Sequence, residues 1–212
     1  MSKLKLAAVA LVALAISAPA SATDFFDDWE DTDFGSGPGF TILQTYSGWN
    51  NTTGAPGSGI EIQYNNVAGL AHSGENLVEL DSNLNSTMTF GTPLDAGVYT
   101  LSFWYSDRPG VGAASNGIGV LLNASSILSV LGGNGGNGTN WILQTVNFTA
   151  NAGDTLSFTA LGTSDSYGGY IDDVRLSGAV PEPATWAMLI FGFGAIGSVL
   201  RRSRRHPALA TA

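Results

Sequence analysis

Apolar and polar side chains alternate in short runs between residues 23 and 178. In 98–105, Tyr99, Leu101, Phe103 and Tyr105 take one phase, and Thr100, Ser102 and Trp104 take the other. That is the period of a strand with one packed face. Leu156 and Phe158 oppose Ser157 and Thr159 in the same way. Similar runs at 40–45, 60–64, 76–80, 87–90, 118–122, 126–130, 141–149 and 170–176 bring the expected strands to about ten. Clusters of Gly, Asn, Ser and Pro separate them, and no long helical period intervenes. The pattern predicts one all-β domain over 23–178, an antiparallel sandwich or barrel. Trp104, opposite Leu101 and Phe103, is either on a second packed face or exposed. "GGNGGNG" (132–138) lacks the Lys-Ser/Thr of a phosphate loop and reads as a flexible hairpin loop.

The hydropathy pattern changes at both ends. Lys3 and Lys5 precede an apolar run over 6–16, and Ala20-Ser21-Ala22 supplies small residues for cleavage after Ala22. Residues 1–22 therefore read as a secretory signal peptide handled by the general secretion machinery. At the other end, 186–200 is apolar or small, somewhat shorter than the roughly 20 residues of a comfortable span. Arg201, Arg202, Arg204 and Arg205 follow, which places that end on the cytoplasmic side of a transmembrane helix. Pro181 and Pro183 display Glu182 on an extended segment before it.

Charge narrows the class of partner. The 212-residue chain carries a formal charge of −9 and no cysteine. Between residues 23 and 178 two arginines, Arg108 and Arg175, face sixteen carboxylates, a net charge of −14. Such a surface repels phosphate backbones and excludes nucleic acid, while it is compatible with cations and neutral polymers. No disulfide braces the exported domain, so core packing and any bound ion must hold it.

The tail resembles the PEP-CTERM sorting signal of Gram-negative bacteria, in its variant with Trp-Ala after the motif. Pro181, Glu182, Pro183, Trp186 and Ala187 match, followed by "FGFGAIG" and "RRSRR". The resemblance implies a sorting segment over 179–205: the motif at 181–183, a transmembrane helix at 186–200 and the arginine cluster at 201–205. Residues 206–212 form a longer tail than is usual. It further implies recognition by exosortase, a membrane cysteine protease-transpeptidase, with the helix held transiently in the inner membrane. The product would be released to the cell surface or extracellular matrix, in a family linked to exopolysaccharide and biofilm.

In the last expected strand, "YIDDVRL", period two puts Tyr170 and Asp172 on the core-facing side with Val174 and Leu176. A carboxylate there must be paired, hydrogen-bonded or bound to a metal, and hard oxygen ligands favour Ca²⁺. "WE" near the start, "VELDS", "YTLSFWY" and "YIDDV" together resemble a galactose-binding-like jelly roll, as in several carbohydrate-binding modules. That resemblance implies a jelly-roll sandwich and a structural Ca²⁺ between Glu30 and Asp172.

These features favour an exported, non-catalytic protein that binds carbohydrate or exopolysaccharide, with Trp104, Asp81 and Arg108 as candidate ligand contacts. The alternative is a structural biofilm matrix protein without a ligand site. A glycan-active enzyme is a third class, but His72 is the one histidine between 23 and 178 and no nucleophile motif appears.

Overall fold

Alternation along the chain becomes two packed sheets in the computed structural model, which describes residues 22–179 and 183–203. The strands are β1 (Phe25–Asp27), β2 (Gly39–Leu43), β3 (Thr45–Tyr46), β4 (Trp49–Asn51), β5 (Ile60–Tyr64), β6 (Asn76–Glu79) and β7 (Thr87–Phe90). There follow β8 (Gly97–Ser106), β9 (Gly117–Leu122), β10 (Ser125–Val130), β11 (Ile142–Ala150), β12 (Leu156–Leu161) and β13 (Tyr170–Ala179). One sheet runs β11-β8-β13-β6-β5-β2, with β1 added to β13; the other runs β10-β9-β12-β7-β4-β3. The fold is the all-β antiparallel jelly-roll sandwich that the alternation and the resemblance anticipate. Ten strands fall on the expected runs. The others, β1, β3 and β4, have three, two and three residues, too few for alternation to be read.

The inner faces share one core. Tyr99, Leu101 and Phe103 of β8 are fully buried with Ile118 and Val120 of β9 and Leu156 and Phe158 of β12. Trp49 sits among rings, 5.3 Å from Phe90, 5.6 Å from Phe158 and 5.7 Å from Phe25 between centroids. Its indole N–H donates to Asp27 Oδ2 at 3.1 Å, while Asp27 Oδ1 accepts the Trp29 N–H at 3.1 Å. Buried apolar area, at about 25 cal/mol per Å², does the work that disulfides do in many exported domains.

β13 departs from the expected parity. Its register against β8 shifts between Asp172 and Arg175, and Asp173 has φ +45°. This is a β-bulge, in a left-handed conformation that Asp tolerates better than most side chains. The extra residue lets Ile171, Val174 and Leu176 all enter the core. Tyr170 and Asp172 therefore lie on the opposite, outer face of the sheet, not on the core side with Val174 and Leu176. Both are nonetheless fully buried, because loops cover that face.

The two ends of the sandwich meet. β1 pairs antiparallel with the second half of β13, Phe25 opposite Leu176 and Asp27 opposite Val174. The Gly178 N–H donates to Asp24 Oδ1 at 2.6 Å, and a Cβ on Gly178 would come within 2.4 Å of Ala22. Beyond the sandwich, α1 (Pro183–Ser203) begins on a proline, a favoured first helical residue, three residues before the expected start. It also runs three residues further, so Arg201 and Arg202 are helical along with Pro183, Trp186 and Ala187. Leu189, Ile190, Phe191, Phe193 and Ile196 are exposed on it. Among the described residues no helix is long and apolar enough to cross a membrane, so α1 as described falls short of the transmembrane helix expected over 186–200. Ala20, Pro181, Glu182, Arg204, Arg205 and the tail from 206 lie outside the described residues, as does all of the signal segment except Ala22.

Candidate functional site

The outer face of the larger sheet is polar and mostly roofed. The loop between β5 and β6 crosses it, and three carboxylates hold that loop down. Asp172 Oδ2 accepts the backbone N–H of His72 at 2.7 Å and of Ser73 at 3.2 Å; its Oδ1 accepts the Asp173 N–H at 2.7 Å. Asp173 accepts the Ser73 hydroxyl at 2.6 Å and pairs with His72 Nδ1. Glu30 Oε1 accepts the N–H groups of Glu75 at 2.8 Å and Asn76 at 2.7 Å. Glu30 and Asp172, expected to share a cation, thus grip neighbouring residues, 72–73 and 75–76, at the β6 end of one loop. N–H groups point positive hydrogens at oxygens that a cation would need. Among the described residues no group of three or more His, Asp or Glu side chains gathers to hold a metal ion. These N–H donors compete with a cation for Glu30 Oε1 and for Asp172.

Trp104 lies opposite Asp172 across the strands. The His72 ring stacks on it at 3.9 Å and 16°, and Trp141 approaches His72 edge-on at 6.0 Å. One indole face is therefore covered by the loop, which leaves Trp104 as a pillar under His72. Trp141 donates to the Leu70 carbonyl at 3.1 Å and holds the same loop from its other side.

Next along this face, β5 and β6 bring Glu61 and Glu79 directly opposite each other. Glu79 is fully buried and accepts from Arg108 Nη1, Gln63 Nε2 and the Gly168 N–H. Gln63 also donates to Glu61 at 2.9 Å and accepts the Tyr170 hydroxyl at 2.9 Å. The Arg108 guanidinium lies 4.7 Å from the Tyr167 ring centroid, and Tyr167 is 49% exposed. Arg108, Pro109, Gly110, Val111, Asp165 and Tyr167 line a cleft of about 410 Å³. A larger opening of about 610 Å³ surrounds the turn at Ser47 and Gly48, but its aromatic side chains, Tyr46 and Trp49, are buried and offer no ring face.

Asp81 is fully buried and lines neither opening; it accepts the Asp165 N–H at 2.9 Å and so positions Asp165 in the cleft wall. Of the three expected ligand contacts, Arg108 alone reaches the cleft. The glycine-rich loop is not the free hairpin its composition predicts. Gly110 N–H donates to the Gly136 carbonyl at 3.0 Å and Gly135 N–H to the Val111 carbonyl at 2.8 Å. A Cβ on Gly135 would stand 1.8 Å from the Arg108 carbonyl, so the glycine permits a flush backbone contact that fixes the cleft floor. Sequence reasoning missed Glu61, Gln63 and Glu79. Their one signal was a charged or amide residue on the non-core phase of two adjacent strands.

Burial governs the titration of these acids. It pushes Asp172 up to about 8, with the Asp173 charge adding to it against the pull of the N–H donors. Burial likewise raises Glu79 well above the usual carboxylate range despite Arg108, and it raises Glu61 and Asp27.

Comparison with known proteins bears on the tail and on the fold. The family model described as the PEP-CTERM protein-sorting motif matches residues 179–205. The chain carries a PEP-CTERM sorting signal. That PEP-CTERM segment implies exosortase processing, with export and cell-surface sorting in a Gram-negative bacterium. No curated protein matches the chain. In fold the PEP-CTERM chain is similar to the K2 cleaved adhesin domain of Lys-gingipain, with a TM-score of 0.54 at 15% identity over 74% of this chain and 98% of that one. It is also similar to the cyclase Fisc from Fischerella sp. TAU, TM-score 0.49, 17% identity, over 76% and 100% of the two chains. A family 35 carbohydrate binding module from an environmental isolate gives 0.44 at 19% identity over 66% and 98%. At these identities the first likeness shows a shared fold and nothing further.

Two outcomes follow from the carboxylates. Each raised group binds a proton more tightly folded than unfolded, so its contribution is full below about 4 and is lost as pH rises through the folded value. Stability should fall from pH 5 to pH 8, by up to about 1.4 kcal/mol per pH unit for each proton held. Urea melts across that range check this, and Glu61→Gln should flatten the slope while preserving stability at pH 5. Because N–H donors satisfy Glu30 and Asp172, EDTA should leave the melting temperature unchanged; a drop on chelation that calcium restores would reinstate the ion.

Proposed function

We propose that this chain is an exported, non-catalytic protein of the cell surface or extracellular matrix that binds an uncharged polysaccharide in the Arg108–Tyr167 cleft. One observation carries the reading. A half-exposed aromatic ring stands beside a guanidinium that the buried Glu79 holds in place. Sugar rings present apolar C–H faces and many hydroxyls, and a ring flanked by guanidinium donors and the Asp165 acceptor suits both. The net charge of −14 on the domain disfavours an acidic polymer. Exopolysaccharide of the host is the natural candidate, in keeping with a surface-sorting signal.

For the tail, we infer that α1 holds the exported chain at the inner membrane until exosortase cuts near residues 181–183. The exposed Leu189, Ile190, Phe191, Phe193 and Ile196 call for an apolar surrounding. Arg201 at the far end suits the cytoplasmic headgroups, and a short apolar stretch is accommodated by local bilayer thinning.

Tyr167→Ala should weaken binding to the host exopolysaccharide roughly tenfold or more, the loss of about 1.5 kcal/mol for one ring contact, with the melting temperature unchanged. Affinity electrophoresis and calorimetry read this out; unaltered binding in the variant, or none in the wild type, would sink the site. Mass spectrometry of the protein from its native host should find a carboxyl terminus close to residues 181–183, and Glu182→Ala should accumulate as the full-length, membrane-associated chain. An intact C-terminus in the wild type contradicts this.

A further inference from the structure

From residue 109 to residue 153 the chain carries no charged side chain, although the sandwich around it has a net charge of −14. That run contains β9, β10 and β11 entire. β10 and β11 are the edge strands of the two sheets, and they lie against each other. One lateral side of the sandwich is thus bounded by two open edges with no charge on either.

The edges differ in how they are protected. Edge strands are ordinarily blunted by shortness, bulges, proline or charge. On the opposite side, β2 has five residues and β3 two. β10 has a register shift between Ser126 and Leu128. β11 has none of these devices: its nine residues pair with β8 in unbroken register, without proline, bulge or charge. Ile142 and Leu143 at its start are each 52% exposed, and Leu131, directly after β10, is 84% exposed.

We infer that β11 is a self-association edge, pairing antiparallel with β11 of a second copy of this chain about a twofold axis. Identical acidic surfaces repel one another on charged approaches. The opposite side is uncharged too, since β2 and β3 lie in the charge-free run 34–60, but its edges offer five and two residues to pair, so β11 is the longest edge on which two copies meet without opposing charge. A twofold axis makes one strand its own complement, because each antiparallel edge offers the donors and acceptors that the other needs. The pairing joins two seven-stranded sheets into one continuous sheet and covers Ile142 and Leu143 from both copies. It leaves the Arg108–Tyr167 cleft of each copy as it is and does not depend on glycan binding there.

Because the chain has no cysteine, a single engineered thiol reports on one place. The test uses the full chain in mild detergent, by sedimentation equilibrium and by oxidative crosslinking. The wild type should show a concentration-dependent dimer, and Thr145→Lys, at an exposed position on β11, should weaken it at least tenfold with the melting temperature held. Thr145→Cys should crosslink to a covalent dimer, whereas Phe40→Cys on the opposite edge should not. Association through α1 would be untouched by Thr145→Lys and would crosslink both thiols alike; either result overturns the proposal. So does a wild type that stays monomeric at all concentrations, including one that takes up polysaccharide on β11 instead.

Discussion

A carboxylate with no exposure to water is tolerated only when its oxygens are answered, and Glu79 shows how much of this molecule is arranged around that requirement. Arg108 comes from the loop after β8, Gln63 from β5 and the Gly168 N–H from the segment before β13. Removing any one leaves a buried charge undercompensated, a defect that typically costs several kcal/mol. The three elements are distant in sequence, so the hydrogen bonds to a single side chain fix where the cleft loops stand. Tyr167 and Arg108 are presented to solvent as by-products of satisfying Glu79.

The same logic runs along the rest of that face. Asp172, Asp173 and Glu30 hold the loop over Trp104 by receiving its N–H groups, and Asp81 receives that of Asp165. With two arginines for sixteen acids, the domain pairs one buried acid, Glu79, with a guanidinium and meets most of the others with backbone N–H groups. Acid-rich composition is thereby compatible with ordered loops. It also sets a direction to the pH response, since Asp172, Glu79, Glu61 and Asp27 are easier to keep when protonated.

The sandwich was legible because alternation is a local property. Ten strands could be read from runs of four to nine residues, with β8 the clearest. What failed was parity across one residue. The bulge at Asp173 depends on how β13 divides its neighbours, β6 beside Tyr170 and Ile171 and β1 beside Val174 to Leu176, and no local pattern encodes that division. The roof over the outer face was illegible for a similar reason. Whether Trp104 is bare or capped by His72 turns on contacts between residues some thirty positions apart. Glycine in 132–138 was read as freedom, whereas its use here is close approach to the Arg108 backbone. The sorting motif, by contrast, is a linear signal and could be read from its residues over 179–205, although α1 falls short of the membrane span expected within it.

The order in which the sheet is completed has a consequence for secretion. β13, the last strand to leave the ribosome and the translocon, occupies the interior of the larger sheet between β8 on one side and β6 and β1 on the other. Until it arrives, β1 has no partner and the sheet has a gap at its middle. The larger sheet therefore cannot close before β13 is available, and the sorting segment follows β13 immediately in the chain.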